Sequence, residues 1–365
     1  MDEIAPQIAL LRQMYMGLDK KSRKAFLASI GHKDSHEERP AGNSTIDAFL
    51  HEKLGCHIAC PDCKSETVVK WSVRKDGTRR YKCKACGRTF VLARNTVFYH
   101  AKIGLDIIMK YVEGMKEKDV LRLAAEKCGI GLKTSFFWRH KILDSLRGVM
   151  DGVRLDGIVE SDETFFAISY KGARALPRDA HDRGVPASKR GLSDEKTCVP
   201  CAVNRDGKSV SMVSNLGKVS GADLENVFAG HVAEGAVWCS DRDRSYPGFA
   251  ERHELYLIQI RSDGPRTRGA FHIQHVNAYH SGIKRMVNGH FRGVATKYLN
   301  NYLLWYNFFN YGGGTLDELT DRLADDKICF DKFHVMSFFG DAVNEVRKQE
   351  NADLSRKGND SLKGT

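Results

Sequence analysis

The chain has 365 residues, 42% of them hydrophobic and 28% charged. That is enough apolar material for two to four modules of up to about 150 residues each and too much for a disordered chain. No apolar run approaches the roughly 20 residues of a membrane helix, and the opening MDEIAPQIALLRQ lacks the basic-then-apolar order of a secretory signal. A cytoplasmic protein without membrane contact is expected, with its ten cysteines serving metals or cores more than disulfides.

Lys and Arg number 57 against 46 Asp and Glu, a net charge of +11, and the excess is clustered. Cys60 to Lys102 carries eleven basic and three acidic residues, and no acid occurs from 264 to 316, where Arg266, Arg268, Lys284, Arg285, Arg292 and Lys297 lie with four histidines. Two basic zones far apart in sequence fit a polyanion gripped at two places.

Leu11, Met14, Leu18, Phe26 and Ile30 recur at helical spacing. His32–Ser44, with Pro40 and Gly42, reads as a linker. Cys60-x2-Cys63 and Cys83-x2-Cys86 follow, nineteen residues apart. A C-x2-C turn points two thiolates at one ion, and two such turns complete a closed tetrahedral zinc site that organises structure and leaves no position for chemistry. Between them, two strands with an Asp76-Gly77 turn would bring the pairs together. Cys56 and His57 lie close by as substitute ligands, though the paired spacing does not need them.

Three helices are expected next. Leu105, Ile108, Val112 and Met115 share a face. Asp119 is placed to cap a second helix running to Glu126, and Thr134 to cap a third that turns Trp138, Ile142 and Leu146 inward and Arg139 and Lys141 outward, as a recognition helix does. From residue 155 the pattern becomes strand-like. Leu155–Thr164 ends in acids, with Glu160 and Asp162 on one face. Phe166–Glu195 is a basic Gly/Pro-containing loop, and Thr197–Asn204 and Ser209–Val213 form a hairpin over Arg205–Lys208. Cys198 and Cys201, three apart in a strand, point to opposite faces and read as core. Asp223–Val232 is a helix, Ala236–Asp241 a strand ending in an acid, and Leu255–Ile260 a further strand. Val276–Val287 is a helix carrying Asn277, Ser281 and Lys284 on one face, with His280 beside them. Tyr298, Tyr302, Trp305 and Phe309 step along a buried helix face, and Thr315 with Glu318 fits a capping box.

Asp162 and Asp241 at the ends of two core strands, with a polar helix face against them, meet what a divalent-metal phosphodiester site requires. Mg²⁺ takes carboxylate, water and substrate phosphate oxygens, and a pair of ions can serve both the attacking and the leaving oxygen. Glu160, Glu163 and Asp243 are the substitutes if the assignment slips by a position. His275 and His280 could also be ligands, but His is less usual than oxygen at a Mg²⁺ site, and packing or phosphate contact is the favoured reading for both.

The stretches YKCKACGRTF, VESDETFF, KRGLSDEK, WCSD and HVNAYHSGIKRMVNGHFRGVATKYLNNYLLW resemble bacterial insertion-sequence transposases of the DDE type, in the branch with an N-terminal zinc ribbon and Asn at the third catalytic position. The resemblance implies an α/β, ribonuclease-H-like (DDE transposase/integrase) catalytic core preceded by a zinc ribbon and a helix-turn-helix-like domain. It implies Asp162, Asp241 and Asn277 as the Mg²⁺ (or Mn²⁺) residues and Lys284 as the trailing basic residue. Most such enzymes carry Glu where Asn277 stands; an amide oxygen can still meet the ion or its water but adds no negative charge.

The expected organisation is a helical segment and linker (1–50), a zinc ribbon (51–100) and a helix-turn-helix-like domain (101–150). A catalytic domain (151–312) with a basic loop insertion at 167–196 follows, then C-terminal helices (313–346) and a disordered tail (347–365). The Zn²⁺ ligands are Cys60, Cys63, Cys83 and Cys86. Contacts to DNA are expected from Arg79, Arg80, Lys82, Arg88, Arg139, Lys141, Lys284, Arg285, Arg292 and Lys297. The partners implied are double-stranded DNA, both terminal inverted repeats and target, and a second copy of the chain on that DNA, which places the protein at the nucleoid. A non-catalytic DNA-binding regulator and a metal-dependent nuclease are the two alternative readings.

Overall fold

The computed structural model describes residues 42–54, 58–172, 193, 195–261, 263–265 and 267–324. The helical pattern of residues 11–30, the candidate ligands Cys56 and His57, Arg266, most of the basic loop and the tail lie outside these residues. So does the C-terminal segment beyond 324. No helix among the described residues is long and apolar enough to cross a membrane. Two compact units are present, one ending at Leu92 and including His100–Leu105, the other formed by Ala93–Tyr99 and the chain from Asp106 on.

In the first unit, helix α1 (Gly42–Leu54) precedes an antiparallel sheet of β1 (Val68–Val73), β2 (Arg79–Cys83) and β3 (Thr89–Phe90). The linker expected up to Ser44 is corrected at its end: the helix begins at Gly42. Ile46 and Leu50 are its buried positions, and their four-residue step gives the segment a helical apolar stripe. Asp47 accepts the Arg79 backbone N–H at 3.1 Å, and His51 meets the Tyr81 hydroxyl. The β1–β2 turn forms at the expected Asp76-Gly77, with Asp76 accepting the Thr78 N–H at 3.0 Å. Along β2, Tyr81 and Cys83 are buried while Arg80 and Lys82 alternate to the other face.

After Ala93–Tyr99, the helices of the second unit are α2 (Leu105–Lys116, in this unit from Asp106), α3 (Leu121–Cys128), α4 (Leu132–Ser145) and the short α5 (Arg147–Asp151). Ile108, Val112, Met115, Trp138, Ile142 and Leu146 are all buried, as their spacing requires. The α3–α4 turn passes through Gly129 at φ 63°, the left-handed region where a side chain is disfavoured. Three expectations fail here. Asp119 does not cap α3, because Val120 holds the cap position; it is instead buried in an ion pair with Lys127 at 2.8 Å. Thr134 is not the cap of α4, which starts two residues earlier behind Gly131. Arg139 does not face outward.

The remaining strands build one five-stranded sheet. They are β4 (Ile158–Ala167), β5 (Lys196–Asn204), β6 (Ser209–Ser211), β7 (Val237–Ser240) and β8 (Tyr256–Gln259). The order is β6-β5-β4-β7-β8, antiparallel across β6-β5-β4 and parallel across β4-β7-β8. In chain order this is 3-2-1-4-5 with only the second strand reversed, a mixed sheet within an α/β fold, as the expected fold class has it. The first antiparallel pair is the hairpin over Arg205–Lys208. Parallel neighbours need crossovers, and α6 (Gly221–Phe228) and α7 (Ser245–Arg252) supply them. Ser220 caps α6 in a reciprocal box with Asp223, so this helix starts two residues earlier than expected. Leu155, Val159, Trp238, Leu224, Phe228 and Phe249 fill the core on that face; Cys198 and Cys201 are buried, as expected of core residues.

A small hairpin of β9 (Thr267–Arg268) and β10 (Phe271–His272) leads to α8 (Gln274–Lys284), which packs on β4 and β5. The helix then widens into a π-helical turn over Arg285–His290. It is followed by α9 (Leu299–Asn310) and α10 (Leu316–Ala324), the latter with Thr315 accepting the Glu318 N–H at 3.0 Å. Tyr302 and Trp305 are buried in α9. Gly282 lets α8 press against α9, since any β-carbon there would run into the Tyr306 hydroxyl.

Candidate active site

Strand β4 decides which acids face what. Val159, Ser161 and Glu163 point toward α6 and α7, where the Tyr246 hydroxyl lies 3.1 Å from the Ser161 hydroxyl and donates to Glu163 Oε1 at 2.6 Å. Glu160 and Asp162, on the alternate positions, face α8. The parallel pairing of β4 with β7 ends at Ser161 opposite Ser240, so Asp162 and Asp241 are the next residues out. Asp162 lies mid-strand, because β4 runs on beside β5 to Ala167, which corrects the expectation that it ends its strand. Asp241 stands just past the carboxyl edge of β7. Open α/β sheets bind their ligands at that edge.

The electrostatics mark the pair. Burial pushes Asp162 up to about 6, with the negative charge of Asp241 adding to it and the Glu163 N–H and Lys284 opposing. Burial pushes Glu163 up to about 8 despite the Tyr246 bond, and Asp162, Asp241 and Asp243 add to the effect. Asp243 goes the other way: burial would raise it, but bonds from Ser245 and Lys218 hold it below the usual carboxylate range. Asp241 Oδ1 accepts the Asp243 N–H at 2.9 Å. Half-buried neighbouring carboxylates with no matching cation side chain between them form a cation site by charge and by donor type. The donor set therefore fits a divalent ion.

On α8, Asn277, His280 and Lys284 follow one another at i, i+3 and i+7, one stripe of the helix. His280 is buried, with Nδ1 3.9 Å from Asp162 Oδ2. Burial and then the charge of Lys284 push its imidazole down to about 4. Lys284 is exposed and acts electrostatically on Asp162. Asn277 is exposed, and its side chain has no hydrogen-bond partner among the described residues. Asp162, Asp241 and Lys284 are thus gathered, and Asn277 lies on the helix that faces them.

Glu160, considered above only as a substitute, has a different role. It is fully buried, and Oε1 meets Arg205 Nη2 at 2.9 Å and His275 Nδ1 at 2.7 Å. Its Oε2 accepts the backbone N–H groups of His275 at 2.7 Å and Val276 at 3.4 Å. A carboxylate on the first-turn amides of a helix satisfies groups that have no partner within the helix. Glu160 therefore pins the start of α8 to β4. His272 Nδ1 is 3.2 Å from the same Oε1, so Glu160, His272 and His275 are close enough to share an ion, but Arg205 already brings positive charge to the oxygen such an ion would need. The alternation of Glu160 with Asp162 signalled the shared face; nothing local signalled Arg205, 45 residues on.

In the first unit, the Sγ atoms of Cys60, Cys63, Cys83 and Cys86 lie within 4.8 Å of one another. Cys60–Cys86 is 3.7 Å and Cys63–Cys83 3.6 Å; four thiolates around zinc at about 2.3 Å stand about 3.8 Å apart. The cluster fits that ion.

The basic residues divide into free and engaged. Lys284, Arg285, Arg292 and Lys297 are exposed, the last lying over the Tyr298 ring at 4.9 Å. Arg88 is exposed but paired with Asp62 at 3.0 Å; Arg80 donates to Thr89 at 2.7 Å, and Lys82 lies 4.4 Å over the Trp71 ring. The Arg79 side chain is half-buried. Lys141 is half-buried, donating to the Tyr99 carbonyl at 2.9 Å. Arg139 is corrected outright. It is fully buried, donates to the Asp119 carbonyl at 2.7 Å and stacks 4.6 Å over Trp305, so it cannot reach a phosphate. Its exposed-face assignment fails because α9 covers α4, which helical periodicity alone does not reveal.

Residues 154–308 match the ISXO2-like transposase domain, a DDE transposase family, and residues 318–365 match a second transposase model of the ISL3 type. An uncharacterised protein in transposable element ISH50 of Halobacterium salinarum is 25% identical over 251 residues, covering 67% of this chain and 83% of that protein. These matches support an insertion-sequence transposase. A pre-cleavage Mos1 transpososome overlays with a TM-score of 0.25 at 10% identity, over 58% of this chain and 75% of that one. A Mos1 paired-end complex with left transposon end overlays with 0.21 at 9%, over 60% and 79%. Likeness that weak leaves the fold to be read from the strand order itself.

Proposed function

We propose that the protein is a DDE-type transposase of the Asn-bearing branch, cutting DNA at insertion-sequence ends and joining the freed 3′-hydroxyl to target DNA. The observation that carries this reading is the electrostatic proximity of Asp162, on β4, to Asp241, just past the end of β7, inside the segment that matches the transposase domain. When bound, Mg²⁺ or Mn²⁺ supplies charge to the attacking and leaving oxygens of the phosphodiester. Asp162 and Asp241 hold it, and Asn277 offers an amide oxygen to the ion or to a water on it. Lys284, exposed one turn beyond His280, neutralises a non-bridging phosphate oxygen as charge develops. In the first step a water oxygen displaces the 3′-oxygen at phosphorus; in the second that 3′-hydroxyl attacks a target phosphate and a target 3′-oxygen leaves.

Zinc on the four cysteines makes the first unit a ribbon, and α2–α4 form the helix-turn-helix-like element. Arg79, Arg80, Lys82, Arg88, Arg285, Arg292 and Lys297 provide phosphate contacts, on terminal repeats and target, with two or more copies of the chain assembled on the DNA in the nucleoid. Incubating the purified zinc-loaded protein with Mg²⁺ or Mn²⁺ and DNA carrying the terminal repeats tests this. Joined products are expected. Nicks without joining would favour a nuclease, and binding without cleavage a regulator.

A further inference from the structure

The outer face of the β1–β3 sheet offers more than charge. Tyr81 and Cys83 turn inward, Tyr81 onto His51 of α1, so Arg80 and Lys82 stand on the other face. Lys82 pairs with Val69 on β1 and with Thr89 on β3, and Arg80 donates to the Thr89 hydroxyl at 2.7 Å. The three strands hold four basic residues, Lys70, Arg79, Arg80 and Lys82, and no acid. On the edge strand β1 the register shifts between Lys70 and Ser72, leaving Trp71 as the extra residue of a bulge, a device that re-aims a side chain. Trp71 lands on the basic face: the Lys82 ammonium lies 4.4 Å from its ring centre, yet the residue is 56% exposed. The other three of the four tryptophans, Trp138, Trp238 and Trp305, are buried. Single exposed apolar side chains are ordinary. An open indole beside two cations, on strands without an acid, is a narrower combination: a π-face for a base and positive charge for the backbone that carries it.

We propose that Trp71 is a base-stacking residue, on whose open ring face an unpaired DNA base packs while Arg80 and Lys82 meet the neighbouring phosphates. This rests on the transposase reading only for the presence of DNA. The consequence is a preference. Bases inside a duplex have their faces covered by their neighbours, so this surface should favour single strands and frayed ends. Phosphate contacts alone favour the more densely charged duplex.

Because Trp71 is the exposed indole of the four, the fluorescence of the zinc-loaded full chain reports on it. Titration with a single-stranded oligothymidylate of about 16 nucleotides should quench that emission, and a blunt duplex of equal length should quench it less. Trp71→Phe keeps a ring: its quenching should vanish, while affinity for a labelled oligothymidylate, measured by anisotropy, stays within about threefold of wild type. Trp71→Ala should lose about tenfold or more in that affinity and less than about twofold for the duplex, at unchanged zinc content. If Trp71→Ala does not hold zinc, the wild-type and Trp71→Phe titrations decide. Oligothymidylate binding without quenching in the wild type overturns this inference and leaves the transposase reading standing. So does quenching that survives in Trp71→Phe, or a loss in zinc-loaded Trp71→Ala that is absent or equal for single strand and duplex. A zinc-loaded chain that binds neither DNA overturns both.

Discussion

Glu160 and Asp162 leave β4 from the same face, about 6.7 Å apart along the strand, and both look toward α8. Glu160 is sealed: a guanidinium, two imidazoles and two helix amides converge on its two oxygens. Asp162 shares its end of the sheet with a second carboxylate, and no arginine or lysine side chain comes within ion-pair distance of it among the described residues. One acid has its positive charge built in, so it holds structure; the other has been given negative company, which is what supports the cation role proposed for it. Chemical identity does not separate the two. The donors that converge on each of them do.

The sharpest way to break this contrast is to remove the acids one at a time. Asp162→Ala or Asp241→Ala should reduce strand joining by at least a thousandfold while DNA affinity, measured by filter binding, stays within about twofold, because few phosphate contacts are lost. Glu160→Ala should behave differently. It strands the Arg205 charge and frees the first turn of α8, so urea unfolding should show a loss of about 3 kcal/mol, as when one partner of a buried ion pair is deleted. Glu160→Gln keeps an acceptor for the helix amides and should lose less. If Glu160→Ala abolished joining at unchanged stability, Glu160 would belong to the chemistry and the contrast would be wrong.

Most of the sheet was legible from the sequence because strands β4, β5, β7 and β8 are short apolar runs bounded by turn residues. Asp241 stands where such a run stops, whereas Asp162 sits where the apolar side chains of β4 give way to acids while the strand itself continues to Ala167. The clamp on Glu160 was not legible, since Arg205 belongs to a hairpin turn and His275 to a helix start, and only the sheet order brings them to one oxygen. Arg139 misled for the same reason: helical spacing gives a side chain's angle around its own axis, while the neighbour that covers it, here Trp305, comes from a helix more than 150 residues away. Asp119 and Thr134 are good caps by composition, but Val120 and Gly131 hold the cap positions. Asp119 is drawn inward by Lys127 instead.

A third acid on β4 sharpens the contrast through pH. Glu163 is raised from 4.5 to about 8 in the metal-free site, so between those values the native state keeps a proton that the unfolded chain has released. Stability from this group is complete below pH 4.5 and is lost as pH rises through 8. His280 has the opposite sign: lowered from 6.5 to about 4, it contributes fully above 6.5 and less as pH falls toward 4. Asp162 titrates below about 6. Of these three groups, only Glu163 changes charge across the window from 6.5 to 8. Without Mg²⁺ or Mn²⁺, the wild type should lose stability across it, and Glu163→Gln, which cannot ionise, should show a flatter profile. Equal slopes would mean that Glu163 is already ionised beside Asp162 and Asp241.

The smallest expected effect separates built-in from unspent positive charge among the arginines. Arg292 is exposed beyond the π-helical turn, and Arg139 is enclosed between Trp305 and Tyr111. If the exposed basic residues make about six phosphate contacts, log K for DNA should fall against log salt with a slope near −5, and Arg292→Ala should make it shallower by about 0.9. Arg139→Ala should leave the slope alone while lowering the unfolding midpoint, because it empties a packed position against α9 and releases no counterion. Were Arg139→Ala to change the slope as Arg292→Ala does, burial would not be what decides which arginines meet DNA. The same logic that divides Glu160 from Asp162 would then fail for the opposite charge.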